Sequence, residues 1–135
     1  MLGHSFIRRL KDCSLTDVEN QNLRLKPENF SVEFRATGGL TKKKLVKDEQ
    51  FMTFTNSPDI VFIQMGENDL DNGVAVEKLS RDIISYANFL IEGCDMKTVV
   101  IEQLLWRRGP GVFNDIVVEL NNFFCRTGVV ILKQK

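Results

Sequence analysis

Residues 58–69, PDIVFIQMGEND, constrain the fold more than any other stretch of the chain. A run of about six mostly apolar or β-branched residues, bounded by Pro58 and Gly66, predicts a strand buried on both faces, as in a parallel sheet. The run stops abruptly at Gly66-Glu67-Asn68-Asp69, so a polar tetrapeptide sits at the strand's carboxyl end. Open α/β sheets bind their ligands at that edge. Glycine allows close backbone approach there, and an asparagine amide can donate to a developing negative charge.

The flanking patterns extend this into an architecture. Residues 30–36 alternate Phe30, Val32 and Phe34 against polar residues, and residues 98–105 and 128–133 carry further strand signals. Val76, Leu79, Ile83, Ala87 and Leu90 recur with helical period, as do Phe113, Ile116, Val117, Leu120 and Phe124. Alternation of strand and helix from Asp59 onward predicts parallel pairing with right-handed crossovers. Upstream, residues 5–11 read as a helix start and 42–53 as a weaker helix, while 14–29, rich in Asn, Asp and Glu, reads as a loop. Gly38-Gly39, Gly93 and Gly109-Pro110-Gly111 punctuate the elements. The expectation is one α/β domain over residues 1–135, a three-layer α/β/α sandwich around a parallel sheet.

Composition narrows the function classes. With 135 residues, 43% hydrophobic and 27% charged, the chain is of ordinary size for one domain, and no window has the apolar length needed to span a membrane. No basic segment followed by an apolar one opens it, so no secretory signal is visible. Cys13, Cys94 and Cys125 are odd in number and far apart, which predicts reduced, partly buried thiols in an intracellular, cytoplasmic protein rather than a zinc or redox site. Eighteen basic and eighteen acidic residues cancel, arguing against nucleic acid as a partner. The run Lys42-Lys43-Lys44 with Lys47 reads as a solvated helix start or loop ahead of a phosphate-binding patch.

Three short blocks fall at equivalent places, each at the end of an element facing the same sheet edge: Gly3-His4-Ser5, Gly38-Gly39-Leu40-Thr41 and Gly66-Glu67-Asn68-Asp69. Together they resemble the SGNH, or GDSL-like, hydrolase superfamily. The segment GHSFIRRL looks in particular like SGNH-type domains of uncharacterised invertebrate proteins and of some mobile elements. The resemblance implies a flavodoxin-like fold and a serine esterase acting on a small ester or acylated substrate. Ser5 matches the family's nucleophile. The Ser5 and Gly39 amides and the Asn68 side chain match its oxyanion hole, and no metal or organic cofactor is implied. A serine at a helix N-terminus sits in a positive field, and converging donors stabilise the oxyanion of acyl transfer.

Two departures shape the expectation. The family's catalytic histidine belongs to an Asp-x-x-His block after the fifth strand, whereas the only histidine here is His4. Being adjacent to Ser5 in sequence, it is poorly placed as a base and reads as a local hydrogen-bonding residue. Weak or absent hydrolysis is therefore expected, with a non-catalytic binding or assembly module as the alternative. Only Met1 and Leu2 precede Gly3, so the first strand is expected to be too short for the middle of a sheet. A domain truncated at both ends would expose edges that pair with another chain, as in a homo-oligomer.

Several residues also have plainer roles. Ser5 reads equally as a helix cap, Gly38 and Gly39 as turn residues, and Asn68 and Asp69 as Asx-type partners of their own turn. Glu67, Asp71 and Asn72 read as solvated loop residues. Trp106, beside Arg107 and Arg108, reads as an aromatic lid over the core or as a contact for substrate or partner.

Overall fold

The computed structural model describes residues 1–109, 111–127 and 130–132. In chain order these form β1 (Leu2–Gly3), α1 (Ser5–Thr16), a 3-10 segment (Val18–Arg24), β2 (Arg35–Ala36), α2 (Lys42–Leu45), α3 (Glu49–Met52), β3 (Ile60–Gln64), α4 (Glu67–Asp71), α5 (Val76–Glu92), β4 (Thr98–Ile101), α6 (Val112–Thr127) and β5 (Val130–Leu132). One sheet holds all five strands in the order β2-β1-β3-β4-β5.

Strands β1 to β4 are parallel, as the alternating pattern predicts. β1 has two residues and still occupies the middle, pairing with β2 on one side and β3 on the other. The shortness expected to exclude it from that place is offset by neighbouring carbonyls: Met1 O accepts from Arg35 N at 2.9 Å and Gly3 O from Thr37 N at 3.2 Å.

β5 departs from the expected parallel sheet and runs antiparallel to β4, Val100 opposite Val130 and Thr98 opposite Leu132. The cause lies in the connection. After β4 the chain continues past the sheet edge, and α6 returns alongside that segment: Arg107 N donates to Asn114 Oδ1 at 2.9 Å, and Leu104 N to Asn121 Oδ1 at 2.9 Å. The 16 residues of α6 cover about 24 Å, much of it beside this overhang. The helix therefore ends near the carboxyl edge, and the next strand can only run back the other way.

The main core lies on one face of the sheet. Leu79, Ile83, Ala87 and Leu90 of α5 and Val117, Leu120 and Phe124 of α6 pack with Leu2, Val61, Ile63, Val99 and Ile101. Tyr86, also from α5, is buried and donates its hydroxyl to Phe51 O at 2.6 Å, tying α3 to this layer. On the opposite face Ile7 of α1 is fully buried, and a Cβ on Gly3 would collide with its side chain and with Gln64 O. Gly3 is thus required where helix meets strand.

That second face is only partly covered. α1 lies over β1 and β2, leaving Ile60 and Phe62 of β3 53% and 37% exposed. The strand expected to be buried on both faces is buried on one, because the helix layer stops short of its first residues. Two other expectations are corrected in part. Only Arg35 and Ala36 of residues 30–36 form a strand. Cys13 and Cys125 are exposed thiols, Cys94 alone being half-buried. The strand predicted at 128–133 is described at Val130–Leu132, and its remaining residues lie outside the described ones. Among the described residues no helix is long and apolar enough to cross a membrane.

Candidate functional site at the carboxyl edge

Register brings the three blocks together at the level of the backbone. Gly3 lies opposite Ala36 of β2 and Gln64 of β3, so the segments that follow leave the same edge side by side. Between β1 and β3 the strand order reverses direction, which is where open α/β sheets form a crevice.

Ser5 is the first residue of α1 and half-buried, and its hydroxyl has no hydrogen-bond partner among the described residues. His4, not Ser5, is the N-cap: its Nδ1 accepts from Phe6 N at 3.4 Å. An Nδ1 that accepts assigns the proton of the neutral ring to Nε2. That nitrogen is buried without a hydrogen bond, 3.9 Å from Glu67 Oε1. Burial holds the His4 pKa below its ordinary value, against the opposing pull of Glu67. One ring nitrogen is committed to the helix start and the other faces a carboxylate, which bears out the local hydrogen-bonding role read for this residue.

The third block starts a short helix rather than a loop. Gly66 caps α4 at φ +126°, a conformation open to glycine, and a Cβ there would lie 3.3 Å from Leu79 Cδ2 and 3.5 Å from Ile83 Cδ1. From this helix Asn68 and Asp69 reach to the second block, not to their own turn. Asn68 Nδ2 donates to Leu40 O at 3.1 Å. The buried Asp69 carboxylate accepts from Lys42 N through both oxygens, at 3.1 and 3.2 Å. Burial raises the Asp69 pKa, partly offset by the Lys42 amide. Together the two side chains fasten the Gly39 loop to α4, and Asn68 keeps one amide proton for another acceptor.

No family model, curated protein or solved structure matches the chain. The site must therefore be argued from its own groups.

Gly39 (φ +65°) and Asn68 line an open cleft of about 560 Å³ together with Thr41, Lys43, Lys44, Lys47, Asp71 and Asn72. Ser5 is not among the lining residues. Thus Ser5, Gly39 and Asn68 follow strands that end on the same edge, while the cleft itself is lined only by the last two. Lys44 Nζ donates to Gly39 O at 3.0 Å. Asp71 is held by a two-pronged contact with Arg107, whose Nη1 lies 2.8 Å from Oδ1, and that guanidinium keeps the carboxyl below its usual range.

Glu67 and Asp71 were expected to be solvated loop residues. Both lie in α4 rather than in a loop: Glu67 is half-buried and opposes His4, while Asp71 is exposed as expected and also anchors the segment after β4 through Arg107. A signal for the helix was present: Glu67 and Asp69 are acids in its first turn, where the helix dipole favours them. Trp106 is 69% exposed and covers no core. Among the described residues no group of three or more His, Cys, Asp or Glu side chains is arranged to hold a metal ion.

Proposed function

We propose that this chain is an SGNH-like, flavodoxin-type domain that binds an acylated or ester substrate at the carboxyl edge of its sheet and hydrolyses it slowly through Ser5. In this reading Ser5 Oγ attacks the acyl carbon, and the Ser5 and Gly39 amides with the remaining Asn68 amide proton receive the oxyanion. The observation that carries it is the strand order 2-1-3-4 with the three blocks leaving adjacent parallel strands and an unbonded hydroxyl at the first residue of α1.

Slow turnover follows from the histidine. His4 Nδ1 accepts the Phe6 amide, so it has no free lone pair to take the serine proton. Donor stabilisation alone leaves a residual rate rather than efficient catalysis. The same observation favours a second reading, in which the edge binds acyl esters without cleaving them.

Hydrolysis of p-nitrophenyl acetate tests the proposal. A rate slightly above the uncatalysed background, abolished by Ser5→Ala, is the expected result. A rate that survives Ser5→Ala excludes the serine mechanism, and robust turnover would mean that another group serves as base.

A further inference from the structure

The cleft beside the candidate site has a charge that the esterase reading does not use. Three lysines line it, Lys43, Lys44 and Lys47. Lys44 is held by the Gly39 carbonyl, which fixes its position without neutralising it. The side-chain ammonium groups of Lys43 and Lys47 have no acidic or hydrogen-bonding partner among the described residues. The fourth lysine of the run, Lys42, points elsewhere, to Asp82 at 3.6 Å.

The only acid in the lining is Asp71, and its charge is already matched by Arg107. The cleft is therefore strongly positive on a chain whose net charge is zero. Its volume is within the range of small-ligand sites. Its remaining lining, the Asn68 and Asn72 carboxamides and the Thr41 hydroxyl, consists of hydrogen-bonding groups suited to oxygen atoms. Apolar side chains are missing from that lining. A long acyl chain finds only lysine methylenes to lie against here, whereas an anionic group finds several donors.

We infer that the cleft binds a small organic anion, a phosphate- or carboxylate-bearing ester, with the negative group on Lys43 and Lys47 and the acyl carbonyl toward Gly39 and Asn68. The inference rests on the site reading above and names its substrate class. Lysine ammonium groups act as point charges for such ligands, so affinity should fall with ionic strength.

Binding can be separated from hydrolysis. Titrate the ¹⁵N-labelled full chain with pyrophosphate and, in a second arm, with succinate, following the Gly39 and Asn68 backbone amides at low salt. Compare wild type, Ser5→Ala, the double variant Lys43→Gln/Lys47→Gln, and a control double variant Arg81→Gln/Lys97→Gln, whose cations pair with Glu77 and Asp59 on the surface. Expected is saturable binding of at least one anion, kept by Ser5→Ala and by the control and weakened about tenfold or more by Lys43→Gln/Lys47→Gln. The tighter anion decides between phosphate and carboxylate. The inference is overturned if neither anion shifts these amides, or if the control variant weakens binding as much as the cleft variant. Saturable binding with no Ser5-dependent hydrolysis would remove the esterase reading and leave this one standing. Hydrolysis of a neutral ester without anion binding would do the reverse.

Discussion

Replacing Asp69 by alanine tests whether the two blocks of the site are held together by one buried carboxylate. Both Asp69 oxygens accept from Lys42 N, at 3.1 and 3.2 Å, across 27 residues of sequence. They share a single donor, so they count as one charge-assisted bond, about 1.5–3 kcal/mol. Burying the carboxylate offsets part of this, as its raised pKa records. The net cost of Asp69→Ala at neutral pH should be about 1–2 kcal/mol, a drop in Tm of roughly 4–8 °C for a domain of this size. Asp69→Asn keeps an acceptor and removes the charge, so it should cost less than half as much.

The pH dependence has a definite sign. Because the folded pKa lies above the carboxyl's ordinary value of 3.8, the titration of Asp69 contributes stability that is fully present below that value. It is lost as the pH rises through the folded pKa. Asp69→Ala should therefore cost more near about pH 4 than near about pH 7. Urea unfolding followed by circular dichroism at both pH values measures it. A loss below about 0.5 kcal/mol would refute the claim that Asp69 ties the Gly39 loop to α4, whereas a cost that grows toward neutral pH would refute the raised pKa and show that the Lys42 amide outweighs burial.

Other substitutions probe the remaining supports of the site. Gly66→Ala must adopt φ +126° and press a methyl against Leu79 and Ile83, so a loss of about 2 kcal/mol or more is expected in the same unfolding assay; a neutral effect would show that α4 starts differently. His4 has a folded pKa below the imidazole's ordinary value of 6.5, so its contribution is present above that pH and lost as the pH falls through the folded value. His4→Asn, which keeps a good N-cap, should flatten the stability profile between about pH 5 and 7, and an unchanged profile would mean that His4 is not buried as described.

How much of this was legible in the sequence depends on whether the determining contact is local. α5 and α6 could be read because their apolar period is set by the helix itself, and β3 and β4 because Val61, Ile63, Val99 and Ile101 form compact apolar runs. The 42–53 helix breaks into α2 and α3 because Thr41 and Asp48 each cap a new start, and capping residues inside a helical pattern are a local signal that was there to be used. The direction of β5 was not legible. It follows from where α6 ends, and that is set by Asn114 and Asn121 bonding to the segment after β4, contacts between positions with no patterned relation in the sequence.

The site divides along the same line. That residues 3–5, 38–41 and 66–69 share an edge was readable, because parallel strands place their carboxyl ends together whatever the side chains do. The tasks of those side chains were not. Asn68 and Asp69 are short polar residues in a glycine-led turn, and such residues usually bond to their own backbone. Here α4 holds them against the 40–42 loop, so long-range bonds replace the local ones. The lysine run is the plainest case. As sequence it reads as a solvated helix start, and Lys43, Lys44 and Lys47 are indeed exposed in and after α2; only their neighbours in three dimensions could not be read. Lys42 finds Asp82, Lys44 finds the Gly39 carbonyl, and Arg107 pairs with Asp71, the one acid in the cleft lining, leaving Lys43 and Lys47 beside a cleft that Gly39 and Asn68 also line. Which lysines of such a run keep a free charge depends on the counter-charges their neighbours take up, and that is a property of the fold.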